Sequence, residues 1–416
     1  MLRVLHYSLG SRVHRGGINV RPASHAFPAA LIALAIAACG EPVRPPTVKE
    51  GAPGLSREKI DDAGEAITAA HVVLPSLTSD SDEVDWVPAA TPTVFPESAL
   101  HLVWLPASRI AHPRLFLFLP GANSPPSHYR LFSAEAARAG YHVIGLMYQN
   151  DRAVEAICKP STDAECSARM RWEVLTGEDS STLVTVSEGN SIDHRLERLL
   201  VYLKAQYPSE HWNKFLTEGK PDWSKITVGG HSQGAGQSAL IARERLLPRV
   251  VMLSGPPEQR VAGVVDPWVR VGKTPSSSMF ALYHFAEKLK PGISANLAKL
   301  DLDDLGIVAA GTAAPWCDLG TPLVPNYVTS ADTRPASDWF FGDAHVLVTD
   351  LFPRGPDGCL GASNGNPHRG TARDAFTPLD GADIDHGNPK LLGAWRYLIG
   401  DPGVFTDDEE NDEGEQ

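Results

Sequence analysis

A strand, a sharp turn and a helix are indicated in succession by the segment Ile226-Thr-Val-Gly-Gly-His-Ser-Gln-Gly-Ala-Gly-Gln-Ser-Ala-Leu-Ile-Ala242. This is the context of a G-x-S-x-G nucleophile elbow, in which a strained turn presents a serine hydroxyl at the top of a sheet. Gly230 and Gly234 suit that turn because the strand and helix backbones would leave no room for side chains there. The segment predicts Ser232 as a nucleophile. The alternative is a glycine-rich strand-to-helix connection without chemistry.

A second copy of the pattern, Gly361-Ala-Ser363-Asn-Gly365, lacks that context. Cysteine, asparagine, proline and glycine surround it, no strand pattern precedes it, and no helix pattern follows it. We therefore interpret Ser363 as a loop residue. The residues around the motif, and not the motif alone, separate the two serines.

Strand and helix patterns alternate on both sides of Ser232, which indicates a parallel sheet. Beyond the elbow itself, strands are expected at 100–105, 114–119, 141–148, 249–255, 279–285 and 344–351, and helices at 129–140, 191–205 and 393–399. Ser191 is the expected N-cap of the amphipathic helix at 191–205. The order is that of one α/β-hydrolase domain, a mostly parallel central sheet flanked by helices. Two inserts, at about 149–190 and 290–340, are expected to wall its pocket.

The N-terminal residues resemble an export signal. Four arginines precede the apolar run 26–38, which is too short to span a bilayer but suits a signal peptide. Ile36-Ala37-Ala38-Cys39 resembles a bacterial lipobox, in which the cysteine is lipidated; an ordinary cleaved signal is the alternative. We expect a signal peptide at 1–38, a Pro-rich tether at 39–80, the hydrolase domain at 81–403, with a possible strand near 84–87, and an acidic disordered tail at 404–416.

Charge and cysteine content narrow the class further. The formal net charge is −13, and no basic stripe interleaved with aromatic residues is present, which argues against a nucleic-acid-binding protein. Apart from Cys39, four cysteines remain, an even number that favours disulfides in an exported protein. Cys158 and Cys166 close a short polar loop, and Cys317 with Cys359 follows by elimination. A metal site is the alternative, but the chain has neither C-x-x-C nor H-E-x-x-H.

A serine nucleophile needs an imidazole base that a carboxylate orients, and in this fold the order along the chain is serine, acid, histidine. The histidines beyond Ser232 are His284, His345, His368 and His386. His284 precedes any suitable acid position, and His345 begins a strand pattern, where structural roles are commoner. His368 and His386 both lie in polar loops after the last strand, and spacing does not separate them. For the acid, Glu287 directly follows a strand; the rivals are Asp266, Asp301, Asp303 and Asp304.

Residues from about 100 to 400 resemble a family of exported, esterase-like bacterial lipoproteins with the α/β-hydrolase fold. The matching pieces are Leu119-Pro-Gly121, the Cys158, Cys166 and Arg171 segment, Gly230-His-Ser-Gln-Gly-Ala-Gly236, Ser254-Gly-Pro-Pro257, His368-Arg-Gly-Thr-Ala-Arg-Asp374 with Thr377-Pro378, and Trp395-Arg-Tyr-Leu398. The family's His-x-x-Asp pattern aligns with His284-Phe-Ala-Glu287. The resemblance therefore implies Glu287 as the acid, a glutamate where the family has an aspartate. Its histidine followed by aspartate and Thr-Pro aligns with His368, which favours His368 over His386.

Two backbone N–H groups are needed to stabilise an oxyanion. Gln233, the residue after the serine, is expected to supply one of them. Ala122, in the turn after the strand at 114–119, is expected to supply the other, and Asn123 is the second candidate. The alternative is a simple tight turn with no role in an oxyanion hole.

Taken together, these patterns predict an exported, lipid-anchored serine hydrolase of the cell envelope that cleaves a small-molecule or lipid-like carboxylic ester without a cofactor or metal. The alternatives are a non-catalytic envelope binding or scaffold protein, and an acyltransferase or amidase with the same triad.

Overall fold

The computed structural model describes residues 70–73, 100–106, 113–259, 264–302, 327–328, 344–349, 351, 353, 366–379 and 389–400. Several of the expectations above fall outside these residues: the signal peptide, Cys39, the possible strand near 84–87, Asp303, Asp304, Cys317, Cys359, Ser363, His386 and the acidic tail. None of the helices in the described ranges is both long enough and apolar enough to cross a lipid bilayer.

The described chain contains both strands and helices. The strands are β1 (His71–Val73), β2 (His101–Trp104), β3 (Leu115–Leu119), β4 (His142–Gly145), β5 (Leu216–Thr217), β6 (Lys220–Pro221), β7 (Ile226–His231), β8 (Val250–Leu253), β9 (Met279–His284), β10 (Tyr327–Val328) and β11 (Val346–Thr349). The helices are α1 (Arg130–Arg138), α2 (Val154–Cys158), α3 (Cys166–Thr176), α4 (Ile192–Gln206), α5 (Gln233–Glu244), α6 (Lys290–Lys299), α7 (Pro367–Gly370) and α8 (Leu392–Ile399).

Nine of these strands form one sheet, in the order β1-β2-β4-β3-β7-β8-β9-β11-β10. The pairs β1–β2 and β2–β4 are antiparallel, and every other neighbouring pair is parallel. The expected α/β class with a mostly parallel sheet is therefore confirmed. Because parallel strands end at the same edge, the residues that follow β3, β7, β8 and β9 meet at one edge of the sheet.

Two apolar cores cover the two faces of the sheet. In β3, Leu115, Leu117 and Leu119 point into the core shared with α4 and α5, whereas Phe116 and Phe118 point into the core shared with α1 and α8. In α4, the buried leucines fall on one side at helical spacing, at positions 196, 199, 200 and 203. The Ser191 side chain accepts the His194 N–H at 3.2 Å, which confirms the expected N-cap. Helices thus flank the sheet on both faces.

The sheet begins earlier in the chain than the sequence indicates. β1 lies inside the segment expected to be a tether, and it pairs with β2. The Nε2 atom of His71 lies 2.8 Å from a carboxylate oxygen of Glu210, and the ring stacks on Tyr207. A tether over all of 39–80 is therefore wrong. Three residues are too few for strand periodicity to show, and the contacts that hold β1 are far away in sequence.

The disulfide expected between Cys158 and Cys166 is confirmed, with 5.7 Å between the two Cα atoms. It joins the last residue of α2 to the first residue of α3. The insert expected at 149–190 is thus a helical pair rather than an open loop, and α3 packs against α4 and α5. Of the second expected insert, the described part is mainly α6.

Candidate active site

Ser232 occupies a strained turn between β7 and α5. Its φ of 55° and ψ of −114° lie in a region that non-glycine residues rarely adopt. The Ser232 N–H donates to the Leu253 carbonyl at 2.8 Å, so the neighbouring strand β8 holds the turn. A Cβ on Gly234 would overlap the Leu119 carbonyl, and one on Gly230 would meet the Gly234 carbonyl carbon at 2.4 Å. The glycine requirement expected from the sequence therefore comes from the close approach of β7 to α5 at Gly230, and of α5 to the end of β3 at Gly234.

His368 faces this serine from α7. Its Nε2 atom lies 2.7 Å from Ser232 Oγ, and its Nδ1 atom lies 2.5 Å from Glu287 Oε2. A carboxylate only accepts hydrogen bonds, so Nδ1 carries the proton and Nε2 accepts from the serine hydroxyl. The structure thus brings together the three side chains expected to form the triad.

Glu287 lies three residues after the end of β9 and is almost fully buried. Its Oε1 atom accepts the His284 N–H at 2.9 Å and the Ser254 hydroxyl at 3.1 Å, while Oε2 faces His368. Ser254 also lies 2.9 Å from the Thr371 hydroxyl, three residues beyond His368. The carboxylate is therefore fixed on both oxygens in the orientation that its contact with His368 requires.

The other candidates that the structure describes lie in different surroundings. Asp266 accepts the Ser167 hydroxyl at 2.5 Å, and Asp301 is exposed. His284 Nδ1 accepts the Ala286 N–H, whereas His345 donates through Nδ1 to the Met279 carbonyl and stacks on Phe280. The structure therefore gives both histidines structural contacts.

The turn after β3 was expected to supply the second oxyanion donor from Ala122. The Gly121 N–H donates to the Tyr129 hydroxyl at 3.1 Å, and the Asn123 N–H donates to the Asn150 carbonyl at 2.8 Å. The Asn150 side chain holds the turn by donating to the Gly121 and Ser124 carbonyls. Among the described residues, Ala122 N–H has no acceptor, and Gln233 N–H, at the first position of α5, has no intrahelical one. Asn123, the second candidate for the oxyanion donor, already donates its N–H to Asn150.

Two residues that the sequence did not single out, His231 and Tyr129, connect the serine turn, the segment that carries His368 and the turn after β3. His231 Nε2 lies 2.7 Å from the His368 carbonyl oxygen, and its Nδ1 lies 3.1 Å from the Tyr129 hydroxyl. Burial lowers the pKa of His231 well below its ordinary value, so the ring is neutral at neutral pH. The hydroxyl of Tyr129 in turn takes the Gly121 N–H. The position of His231 beside Ser232 was the only sequence signal for this network.

Asp374 fixes the segment that carries His368. Its carboxylate accepts the N–H groups of Arg130 and Leu131 at 2.9 and 3.1 Å, at the start of α1. Burial raises its pKa to about 6. The residue therefore caps a helix that is distant in sequence, and the cap ties α1 to the loop after α7.

This arrangement matches the requirements of nucleophilic catalysis. A histidine that accepts from a serine hydroxyl and donates to a buried carboxylate can remove the serine proton. Within the described residues, no group of three or more His, Cys, Asp or Glu side chains is placed to hold a metal ion.

Comparison with known proteins identifies no family for the chain. No protein-family model matches the sequence, and no curated protein matches it. Among solved structures, the apo form of Thermogutta terrifontis esterase 2 has a TM-score of 0.25 and 14% identity, over 45% of this chain and 68% of that chain. The same esterase phosphoramylated by tabun has a TM-score of 0.25 and 10% identity, over 45% and 67%. Similarity at this level does not assign an activity.

Proposed function

We propose that the chain is a serine hydrolase that cleaves a carboxylic ester through an acyl-enzyme, on an α/β-hydrolase fold. One observation carries the proposal: the continuous contact from Ser232 Oγ through the His368 ring to Glu287, at 2.7 and 2.5 Å. The strained serine supports it further. Backbone strain costs about 1–3 kcal/mol and persists mainly where function uses it, which a binding or scaffold protein would not require.

In the proposed reaction, His368 Nε2 takes the hydroxyl proton as Ser232 Oγ attacks the ester carbonyl. Glu287 stabilises the imidazolium and keeps its proton on Nδ1. The tetrahedral oxyanion accepts hydrogen bonds from the N–H groups of Gln233 and Ala122. His368 then protonates the leaving alcohol, activates a water molecule against the acyl-enzyme, and returns the proton to Ser232.

The α/β-hydrolase fold and export to the cell envelope are part of the same proposal. The elbow lies between β7 and α5, the acid follows β9 and the base follows β11, which is the chain order of α/β-hydrolases. A disulfide between Cys158 and Cys166 suits an oxidising compartment. We propose export through a signal peptide at 1–38, a lipid anchor at Cys39 with a tether that ends before β1, a second disulfide between Cys317 and Cys359, and an acidic tail at 404–416.

The test is covalent labelling of the purified protein with a fluorophosphonate, followed by intact mass. Wild type is expected to gain one label, and Ser232→Ala is expected to gain none. Ser363→Ala, in the second copy of the motif, is the matched control and keeps the label. His368→Ala is expected to be labelled at least a hundredfold more slowly, and His386→Ala at the wild-type rate.

Folded wild type that takes no label would overturn the proposal in favour of a non-catalytic binding protein. Slow labelling in His386→Ala alone would move the base to that residue. Ester hydrolysis measured in parallel, with and without added alcohol or amine acceptors, separates hydrolysis from acyl transfer by the ratio of free acid to transferred product.

A further inference from the structure

The residue after the candidate nucleophile is held from two sides by the disulfide-bonded insert. The side-chain oxygen of Gln233 accepts the Val154 N–H, at the start of α2, at 3.2 Å. The main-chain oxygen of Gln233 accepts Nη1 of Arg171, on α3, at 2.9 Å. Both acceptors on Gln233 are therefore engaged by the insert.

Arg171 is built into this position. Its side chain is fully buried and forms an ion pair with Glu258, which is also buried. The Gln237 amide donates to the Arg171 carbonyl at 3.0 Å, which ties α3 to α5 in the opposite direction. A Cβ on Gly236 would overlap the guanidinium, so the helix leaves space for it. Burial lowers the pKa of Arg171 to about 10, and the group stays charged at neutral pH.

The two contacts with Gln233 come from helices that are covalently joined. The Cys158–Cys166 disulfide links the end of α2, which begins at Val154, to the start of α3, which carries Arg171. The far end of α3 is anchored as well: the buried Glu173 carboxylate accepts N–H groups of the following loop, at Ser180, Ser181 and Val186. The disulfide and these hydrogen bonds therefore hold both helices of the insert in place.

We propose that this insert, through Val154 and Arg171, positions the Gln233 N–H for the oxyanion; the inference rests on the proposed function. The Gln233 N–H has no intrahelical acceptor, and it belongs to the Ser232–Gln233 peptide, whose carbonyl accepts the Gly236 N–H at 3.1 Å. That bond holds one side of the peptide plane, and the contacts from Val154 and Arg171 hold the other side, through the side chain and the carbonyl of Gln233. Oxyanion stabilisation depends on donors that are oriented before the charge develops. Val154 and Arg171 are positioning residues, because neither touches the reacting atoms.

The first test removes one donor. Val154→Pro deletes the N–H at the first position of α2, where proline is tolerated, and Ala153 already has the extended conformation that proline requires of its predecessor. Val154→Ala keeps the N–H and is the matched control. We expect kcat/KM for p-nitrophenyl acetate to fall about two- to tenfold in Val154→Pro relative to Val154→Ala, the loss of one neutral hydrogen bond.

The second test removes the buried pair together, because a lone Glu258 would be left charged in the core. The double variant Arg171→Met with Glu258→Gln is compared with Arg195→Met, which removes another buried arginine that contacts Met147 and Asn190 instead of the elbow. The double variant is expected to lose about ten- to a hundredfold in kcat/KM per labelled site. Arg195→Met is expected to lose folded protein but keep its rate per labelled site.

The decisive readout is the inhibition constant of phenylboronic acid, whose serine adduct is tetrahedral and uses the oxyanion donors. We expect this constant to rise by the same factor by which kcat/KM falls. If the variants only lower the fraction of labelled sites, with unchanged rate and inhibition constant per site, the insert only stabilises the fold and the inference is overturned. Wild type that neither labels nor hydrolyses would instead remove the proposed function, and this inference with it.

Discussion

The Nε2–H of His231 donates to the main-chain carbonyl of His368, with 2.7 Å between nitrogen and oxygen. The residue immediately before Ser232 thus holds the backbone of the residue whose ring accepts from Ser232. Because a carbonyl only accepts, this contact places the His231 proton on Nε2, and Nδ1 accepts from the Tyr129 hydroxyl. The serine turn and the histidine loop are therefore connected twice: by the side-chain contact between Ser232 and His368, and by the hydrogen bond from His231 to the His368 backbone.

A pair of substitutions at His231 separates its two contacts. Glutamine places its amide nitrogen near the position of Nε2 and can still donate to the His368 carbonyl, whereas asparagine reaches only the position of Nδ1. We expect His231→Gln to keep kcat/KM for an ester within about threefold of wild type, and His231→Asn to lose about tenfold or more. Steady-state kinetics normalised to fluorophosphonate-labelled sites measures this. Equal losses in both variants would mean that the contact with His368 does not position the ring.

Glu287→Gln is expected to reverse the histidine tautomer. The Oε1 position receives the His284 N–H and the Ser254 hydroxyl, so the amide oxygen settles there and the amide NH2 faces His368 Nδ1. Nδ1 then accepts, Nε2 carries the proton, and Ser232 has no base. By analogy with the serine protease triad, we expect kcat to fall about 10³- to 10⁴-fold. Asp301→Asn, at an exposed rival acid, is the control and should leave kcat unchanged; comparable losses in the two variants would reject Glu287 as the acid.

Local patterns predicted well those features that depend on neighbouring residues. The strand, serine and helix around Ser232 lie within one segment, and Cys158 and Cys166 are eight positions apart, so both features can be predicted from the sequence. Chain order limits the base to a few histidines, but spacing alone does not separate His368 from His386. Resemblance favoured His368, and the structure brings His368 to Ser232.

Features that depend on distant contacts were not readable. β1 has three residues, and it forms because β2 and Glu210 lie beside it; Glu210 is 139 residues from His71 along the chain. Arg171 gave no sequence signal of its burial against α5, because an arginine on a helix is usually exposed. The Tyr129 hydroxyl meets His231 across 102 residues. Tertiary packing decides such contacts, and a single sequence does not record it.

Asp374→Ala is expected to loosen the link between α1 and the His368 segment. The substitution leaves the Arg130 and Leu131 N–H groups, at the start of α1, without their acceptor. We expect the free energy of unfolding at pH 5 to fall by about 1–3 kcal/mol, as measured by urea denaturation, and to fall by less at pH 7.5, above the raised pKa of Asp374. Asp374→Asn keeps one acceptor oxygen and should lose less. An alanine variant as stable as wild type would show that the cap contributes nothing measurable.

Stability is expected to fall on acidification below about pH 6.5 because of buried histidines. Burial is the largest cause that lowers the pKa of each of five: His101, His128, His142, His231 and His284. The pKa is about 4 for His128, His142 and His284, against an ordinary value of 6.5. The unfolded chain therefore takes up protons in this range before the folded chain does. Each such histidine removes about 1.4 kcal/mol of stability per pH unit as the pH falls from 6.5 toward 4.

Two buried carboxyls oppose this trend without reversing it. Burial raises the pKa of Asp374 to about 6 and also raises the pKa of Asp193, so their contribution to stability is present in acid and lost as the pH rises. Five histidines against two carboxyls leave a net loss toward acid, and the urea midpoint should be lower at pH 5.5 than at pH 7.5. His142→Gln keeps a donor for the Glu210 carbonyl but does not titrate. It should therefore reduce the pH slope by about one proton, whereas an unchanged slope would show that His142 titrates alike in both states.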